Sequence, residues 1–404
     1  MGCCQKKKIT KETVAETINN DSLIPENQPS TQAQSDIPSS RASFDAGINI
    51  SLDDFQKLKV LGQGSFGKVY LVKNINSEKV YAMKVLDKKY IINKKQISHT
   101  KTERIALEKL KHPFISKLNY AFQDSINLYF ITEFLQGGDL FFHLKKSGEF
   151  KEKVVKFYMA QVLLALEYMH NNNYIYRDLK PENIMIDNEG NIKLTDFGLS
   201  KIVKPKEMTY TLCGTAEYLA PEIIQGQGYD KTCDWFSFGV VIFEMFCGYH
   251  PFKSKNTKID PNIYLRKVYI PESIGKEAKN LIEKLFVVDP KKRLGYNSTN
   301  EIKNHPFFKD IDFDKVLNKE YNPPFIPKLE SDTDLRYFDE NEDNYNENEK
   351  EKSITSNNEI NENENDNYHF KGFSYELKDD SKINIESIKI FFIVKIFLYF
   401  STLL

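Results

Sequence analysis

The segment Tyr176-Arg-Asp-Leu-Lys-Pro-Glu-Asn183 constrains this chain more than any other stretch. Asp178, Lys180 and Asn183 fall within six residues, and the apolar Ile184-Met-Ile186 follows at once. Asp196-Phe-Gly198 lies thirteen residues past Asn183, after the short strand-like Ile192-Lys-Leu194. The regions on either side differ in texture. Upstream, Phe55-Gln-Lys-Leu-Lys-Val60, Lys68-Val-Tyr-Leu-Val-Lys73 and Val80-Tyr-Ala-Met-Lys-Val-Leu86 read as strands, with further strands near 117–122 and 128–134. Between them, Thr100 to Leu110 turns to helical spacing, with Ile105, Leu107 and Leu110 apolar. Beyond residue 150 the pattern is mostly helical. Val154 to Met169 is strongly apolar, yet Lys156, Gln161 and Glu167 make it a core helix and not a membrane span. A β-rich lobe therefore precedes an α-rich lobe, which predicts an α+β, bilobal unit over about 55–308.

Composition sets the surroundings of that unit. Of 404 residues, 40% are apolar and 13% aromatic, enough for a large core. Lys and Arg number 56 against 57 Asp and Glu, so no basic excess points to a nucleic-acid partner. The five cysteines (Cys3, Cys4, Cys213, Cys233 and Cys247) form no CxxC pair, which argues against zinc and against a disulfide scaffold. No secretory signal pattern opens the sequence, and a reducing intracellular, cytoplasmic setting is expected. Residues 1–54 read as a flexible arm rich in Asn, Gln, Ser, Thr and Pro. From about 309 the regular pattern is lost. Glu330 to Asp366 is acidic and Asn-rich and reads as a solvated tail, interrupted by Arg336-Tyr-Phe-Asp-Glu340 and Phe370-Lys-Gly-Phe-Ser-Tyr375. Such aromatic islands have a reason to dock. Residues 309–376 are thus taken as a tail and 377–404 as an apolar extension. Within that extension, Ile388 to Leu404 carries Lys389 and Lys395 and fits a tail anchor, an interfacial helix or a translation artefact.

The chemistry-bearing residues form an ordered series. Gly62-Gln-Gly-Ser-Phe-Gly-Lys-Val69 is a GxGxxGxV loop whose backbone can approach phosphates closely. A strand follows it, so it reads as a hairpin lid and not as a strand-to-helix dinucleotide turn. Lys84 lies inside an apolar strand, where a charge is costly unless paired. Glu103, on the following helix, is the expected partner. Asp178 can accept a hydroxyl proton, Lys180 can sit near a transferred phosphoryl, and Asn183 with Asp196 supplies hard oxygen ligands for Mg²⁺. Ala220-Pro-Glu222 closes the segment.

In this order and spacing the sequence resembles a eukaryotic protein kinase of the AGC family, over about Phe55 to Tyr375. The AGC features are Tyr176, Thr211-Leu-Cys-Gly-Thr215, Asn304-His-Pro-Phe-Phe308 and the C-terminal aromatic islands. The resemblance implies that Leu61, Gly62, Gly64, Gly67 and Val69 cover ATP, and that Ala82 and Met185 sandwich the adenine. Thr132 would be the gatekeeper, Glu133 to Leu135 the hinge, and Phe338 a contributor from the tail. Lys84, oriented by Glu103, would hold the α- and β-phosphates; Asp178 and Lys180 would be catalytic; Asn183 and Asp196 would bind Mg²⁺. Leu107, Leu118, Tyr176 and Phe197 would stack between the lobes, and Glu222 would pair with Arg293.

The resemblance also carries expectations about partners and control. Asp139, Glu182 and Glu244 would select protein substrates with Arg upstream of the acceptor, because Arg–carboxylate pairs are strong and directional. Leu212, Thr215 and Leu219 would shape the acceptor site, although Ala216 stands where the family usually has Pro. The segment Lys253 to Tyr269 is two or three residues short of the family pattern. Thr211, Ser374 and, more weakly, Thr355 are expected phosphosites, which calls for an upstream activating kinase. His99, Arg177 and Lys201 would surround Thr211. Met1-Gly-Cys-Cys-Gln-Lys-Lys-Lys8 suggests lipidation at Gly2, Cys3 and Cys4 and peripheral membrane association, with Lys6 where the myristoylation pattern has Ser or Thr. A monomer is expected. The competing reading is a membrane-tethered pseudokinase scaffold, but Lys84, Glu103, Asp178, Asn183 and Asp196 are all in place.

Overall fold

The computed structural model describes residues 50–63, 67–252, 268–338 and 370–377. Its first lobe is built on strands β1 (Phe55–Gln63), β2 (Gly67–Asn74), β3 (Val80–Asp87), β4 (Leu118–Gln123) and β5 (Asn127–Glu133). They form an antiparallel sheet in the order β1-β2-β3-β5-β4. Period-two alternation explains it. Along β5, Leu128 and Phe130 face the main core, whereas Tyr129 and Ile131 face a second cluster with Val72, Met83 and Phe122. Gly67 is required where β2 starts, because a Cβ there would lie 1.8 Å from the Val85 carbonyl oxygen. Helix α1 (Lys88–Asn93) is capped by Asp87, which accepts from the Tyr90 amide, and α2 (Ile97–Lys109) packs beneath the sheet with Ala106 and Leu107 buried.

The second lobe is helical. It contains α3 (Leu140–Ser147), α4 (Glu152–Asn171), α5 (Pro221–Ile224), α6 (Thr232–Cys247), α7 (Lys276–Leu285), α8 (Asn300–Lys303) and α9 (Phe313–Leu317). Fourteen residues of α6 are buried, as a helix apolar on all faces should be. Helix α4 is buried along most of its length and packs against α6. Short strands β6 (Tyr174–Ile175), β7 (Ile184–Ile186), β8 (Ile192–Leu194) and β9 (Lys201–Ile202) pair as β6-β9 and β7-β8. Strands β6 and β7 flank the segment Tyr176–Asn183. Arg293 donates to Glu222 through Nη1 at 2.7 Å and Nη2 at 2.8 Å, with both side chains buried. The bilobal expectation is therefore met.

Two parts differ from the sequence reading. The chain does not become irregular at 309. Helix α9 follows, and the run to Phe338 is fixed on the large lobe. Lys319 bridges Asp187 (3.3 Å) and Glu189 (2.9 Å), Phe325 packs on His143 at 4.7 Å, and Gln136 donates to the Ser331 carbonyl at 2.8 Å. The first residues of the acidic run are held locally as well: Arg336 pairs with the exposed Glu330 (2.6 Å) and with Asp334 (2.8 Å). Hydrophobic periodicity could not reveal this, because the segment is held by scattered aromatic and ionic contacts. The second difference is β10 (Tyr375–Glu376), which pairs antiparallel with β4 and becomes the sixth strand of the sheet. No helix among the described residues is long and apolar enough to cross a membrane. Ile388–Leu404, Gly2, Cys3, Cys4, Gly64 and Thr355 lie outside the described residues.

Candidate active site

A cleft of about 300 Å³ opens between the lobes. Leu61, Gly62, Val69, Ala82 and Lys84 line it from the sheet, Thr132 to Leu135 from the connection between lobes, and Met185 and Asp196 from below. Strand pairing sets this arrangement. Val69 lies opposite Lys84, and Ala82 opposite Thr132. Asp139 bridges to Met185, and the Ile186 amide donates to the Gly138 carbonyl, tying the connection to β7. Glu133 turns its carboxylate toward the Lys117 amide and Lys193, both at 2.8 Å. Phe338 closes the rim and stacks on Phe134 at 5.6 Å, a partner the sequence reading missed.

At the inner end Lys84 Nζ sits 2.7 Å from Glu103 Oε1 and 3.2 Å from Asp196 Oδ1. Burial by itself would lower the Lys84 pKa, but the charges of Asp196 and Glu103 outweigh it and raise it above its ordinary value. The Lys84 ammonium holds the Asp196 carboxyl below its usual range, against the effect of burial. Asp196 carries φ +52°, in the left-handed region that a non-glycine residue seldom adopts, so the backbone there is fixed by its surroundings. Behind it, Tyr176 and Phe197 meet edge-to-face at 5.5 Å, and both are fully buried with Leu107 and Leu118 in the main core.

The second group forms below. Asp178 Oδ1 accepts the Thr215 hydroxyl at 2.7 Å and the Thr215 amide at 3.1 Å. Asp178 Oδ2 takes Lys180 Nζ at 3.0 Å and the Asn183 amide nitrogen at 2.8 Å. Lys180 also donates to Thr215 Oγ1 at 2.8 Å, so Thr215 bridges the acid and the cation. The sequence reading placed Thr215 with the acceptor site and did not foresee this bridge. Because Asn183 donates through its nitrogen, its carbonyl oxygen is the group left for a cation. Among the described residues no three His, Cys, Asp or Glu side chains cluster as a metal cage. One carboxylate and one amide oxygen suit Mg²⁺, which completes its shell with phosphate oxygens and water.

Three acids lie along the adjoining surface. Asp139 caps α3, accepting the Phe142 amide at 2.7 Å. Glu182 is exposed, and lost hydration raises its carboxyl, helped by the charges of Asp139 and Asp178. Glu244 is buried and accepts the Tyr218 hydroxyl at 2.7 Å. Burial first, then Glu244, and also Glu182, push the Tyr218 hydroxyl well above its usual range, so the two acids share one neighbourhood. Leu219 is buried, whereas Leu212 is 44% exposed. Thr211 is half-buried, and its carbonyl accepts the Tyr229 hydroxyl at 2.6 Å. Tyr229 in turn accepts Arg177 at 3.1 Å, while Lys201 reaches Thr209 Oγ1 at 2.9 Å. Burial lowers the His99 pKa, and nearby Arg177 and Lys201 lower it further. His99, Arg177 and Lys201 thus lie within electrostatic reach of one another, and Arg177 is joined to the Thr211 carbonyl through Tyr229, whereas Lys201 bonds Thr209.

The aromatic island after residue 369 docks on the small lobe. Phe373 meets Phe130 edge-to-face at 5.1 Å, and Phe370 is bonded through both backbone groups to the Gln123 side chain at 3.0 Å. Arg104, next to Glu103 on α2, donates to the carbonyls of Phe373 (3.0 Å) and Ser374 (3.3 Å).

Residues 55–308 match the sequence model of the protein kinase domain. Protein kinase 2 of Dictyostelium discoideum is 47% identical over 288 residues, covering 71% of this chain and 60% of that protein. The RAC family serine/threonine-protein kinase homolog of the same organism is 45% identical over 293 residues, 72% of this chain and 66% of that protein. Serine/threonine-protein kinase Sgk1 of Xenopus tropicalis is 47% identical over 290 residues, 71% of this chain and 69% of that protein. The chain thus spans about two thirds or less of the length of the first two of these relatives. With the bilobal fold and the paired charge groups on the cleft, these matches show that the chain belongs to the protein kinase family, on its AGC serine/threonine branch.

Proposed function

We propose that this chain transfers the γ-phosphate of ATP to Ser or Thr hydroxyls of protein segments that carry Arg upstream. The observation that carries the reading is the facing of two groups across one cleft: Lys84 with Glu103 and Asp196, and Asp178 with Lys180, Asn183 and Thr215. Lys84 keeps its positive charge at neutral pH and is suited to the α- and β-phosphates. Asp178 takes the acceptor's proton as the hydroxyl oxygen bonds to the γ-phosphorus. The bond from that phosphorus to the bridging oxygen breaks, ADP leaves, and Lys180 offsets charge on the transferred group. Mg²⁺, held by Asp196 and Asn183 when bound, neutralises phosphate charge. Leu61, Val69, Ala82 and Met185 offer apolar faces to the adenine, and Phe338 narrows the entrance. Purified protein should label an Arg-containing Ser peptide with ATP and Mg²⁺, and Asp178→Asn should abolish the labelling. Equal labelling by the variant would sink the proposal.

The arrangement of Asp139, Glu182 and Glu244 supports the basic preference, and a peptide library returning acidic or Pro-directed sequences would refute it. Phosphate at Thr211 would add about −1.5 to −2 charge beside His99, Arg177 and Lys201, drawing three separate elements together. Phosphate at Ser374 would strengthen docking of the aromatic island, which implies an upstream kinase. For location, acylation at Gly2, Cys3 and Cys4 with Lys6, Lys7, Lys8 and Lys11 nearby favours peripheral attachment to anionic membrane. Gly2→Ala should then shift the protein to the soluble fraction, and an unchanged distribution would remove that element.

A further inference from the structure

The acid-lined surface and the Arg usage of this chain point to one substrate. The sequence contains six arginines: Arg41, Arg104, Arg177, Arg266, Arg293 and Arg336. Only Arg41 has a Ser or Thr two or three positions after it, in Ser40-Arg-Ala-Ser-Phe44. Four of the others are engaged in the fold. Arg104 holds the docked tail, Arg177 holds Leu199 and Tyr229, Arg293 holds Glu222, and Arg336 holds Glu330 and Asp334. Arg41 and Ser43 lie outside the described residues, in the arm that leads to β1.

We propose that Ser43 is phosphorylated by this chain's own active site, with Arg41 read by Glu182 and its acidic neighbours and Phe44 by the apolar surface at Leu212. The inference rests on the phosphotransfer reading above and adds a specific acceptor to it. Geometry on the protein side supports it. Glu182 lies on the 3₁₀ turn Pro181–Asn183, which begins next to Lys180, so the acid is fixed four residues from the Asp178 it flanks. Asp139 is pinned to the same strand system through its bridge to Met185. Glu244 is buried beneath this surface and accepts the Tyr218 hydroxyl at 2.7 Å, with Glu182 close enough to act on the same hydroxyl. A guanidinium can engage carboxylates through two parallel N–H bonds, which an ammonium cannot. That difference matters in a chain whose 56 basic residues include only six arginines. Leu212, at 44% exposure, is an apolar group available to a following Phe. In the step itself, Ser43 Oγ bonds to the γ-phosphorus of ATP and its proton passes to Asp178. The bond to the bridging oxygen breaks, and ADP leaves.

The test uses the full chain with labelled ATP and Mg²⁺, phosphopeptide mapping by mass spectrometry, and an external Arg-containing Ser peptide assayed in parallel. Ser43 should become labelled. Ser43→Ala should remove that phosphopeptide while labelling of the external peptide stays unchanged. Arg41→Ala should slow the initial rate at Ser43 roughly tenfold, with Arg41→Lys in between. Asp178→Asn protein should leave Ser43 unlabelled. If the external peptide is labelled but Ser43 is not, or if Arg41→Ala labels Ser43 at the normal rate, the inference is overturned while the phosphotransfer reading stands. If neither is labelled, both fall together.

Discussion

Removing the Phe373 ring tests whether the docked tail supports the catalytic helix. Phe373 is 2% exposed, packs edge-to-face on Phe130, gives its own carbonyl to Arg104, and lies two residues before the pairing of Tyr375 with β4. In a rigid core, truncation of Phe to Ala costs about 3–5 kcal/mol. This site has an escape that a core lacks: Phe370–Leu377 can leave the sheet edge and recover about 1–2 kcal/mol of backbone entropy per residue. The loss is therefore capped by the net docking energy, and we expect about 2–4 kcal/mol for Phe373→Ala, allowing for that release. For a chain of this size that corresponds to a fall of about 2–5 °C in the first thermal transition. Undocking frees Arg104 from the Phe373 and Ser374 carbonyls, and Arg104 neighbours Glu103. Hydrogen exchange across α2 should accelerate, and turnover of an Arg peptide should drop as the Lys84–Glu103 pair loosens. Unfolding by differential scanning calorimetry, exchange mass spectrometry and steady-state kinetics on one preparation suffice. An unchanged midpoint with unchanged exchange in α2 would show that the island contributes nothing to the small lobe.

Further outcomes follow from the same geometry. Asp178→Asn should retain nucleotide binding, measured by calorimetry, while losing nearly all turnover; loss of binding with it would mean Asp178 acts in the nucleotide site. Burial, Arg177 and Lys201 depress His99, so the folded state binds its proton less readily than the unfolded chain does. Its contribution to stability is present above the ordinary His pKa near 6.5 and fades as pH falls from there through the folded value. His99→Gln should flatten the pH dependence of the thermal midpoint between about pH 7 and 5, and an identical slope would exclude His99 as its source. His143 Nε2 lies 2.6 Å from the Gly137 carbonyl, and its ring packs on Phe325 and Tyr337 ahead of Phe338. His143→Ala should raise KM for ATP roughly tenfold with little change in kcat, and a fall confined to kcat would refute that role. Glu222→Gln strands the buried Arg293 charge and should destabilise the large lobe by about 3–5 kcal/mol in denaturant titration; a cost near zero would mean the charge is otherwise compensated.

How much was legible depended on the kind of interaction involved. Strands β1 to β5 and helix α4 were readable because burial imposes a period, and each period matched one element type. The polar groups were readable for a different reason. Lys84 sits in an apolar strand and Asp178, Lys180 and Asn183 crowd one short segment, so each demands a partner that local sequence can suggest. What stayed hidden is set by contacts between distant segments without periodicity. Residues 309–338 read as irregular, yet Lys319, Phe325 and Tyr337 anchor them one side chain at a time. Gly138 tolerates no Cβ because the Tyr337 carbonyl oxygen would lie 2.2 Å away, a requirement invisible until both segments are in place. Strand β10 is two residues long, below the length at which alternation carries a signal.

The same contrast explains how the molecule couples its parts. The periodic elements build two rigid cores, but the side chains that join the catalytic groups to the tail are the aperiodic ones. Arg104 adjoins Glu103 on α2 and holds residues 373 and 374, so displacement of the tail reaches the Lys84 pair through adjacent residues of one helix. At the other end of the cleft, Phe338 rests on Phe134 while Gln136, two residues on, holds Ser331. The chain after residue 308 therefore touches both α2, beside Glu103, and the cleft rim. A tail bound at two such points can alter nucleotide affinity through Phe338 and turnover through Arg104 independently. Those two effects should separate in kinetics: variants at Phe338 would act on KM for ATP, and variants at Phe373 on kcat.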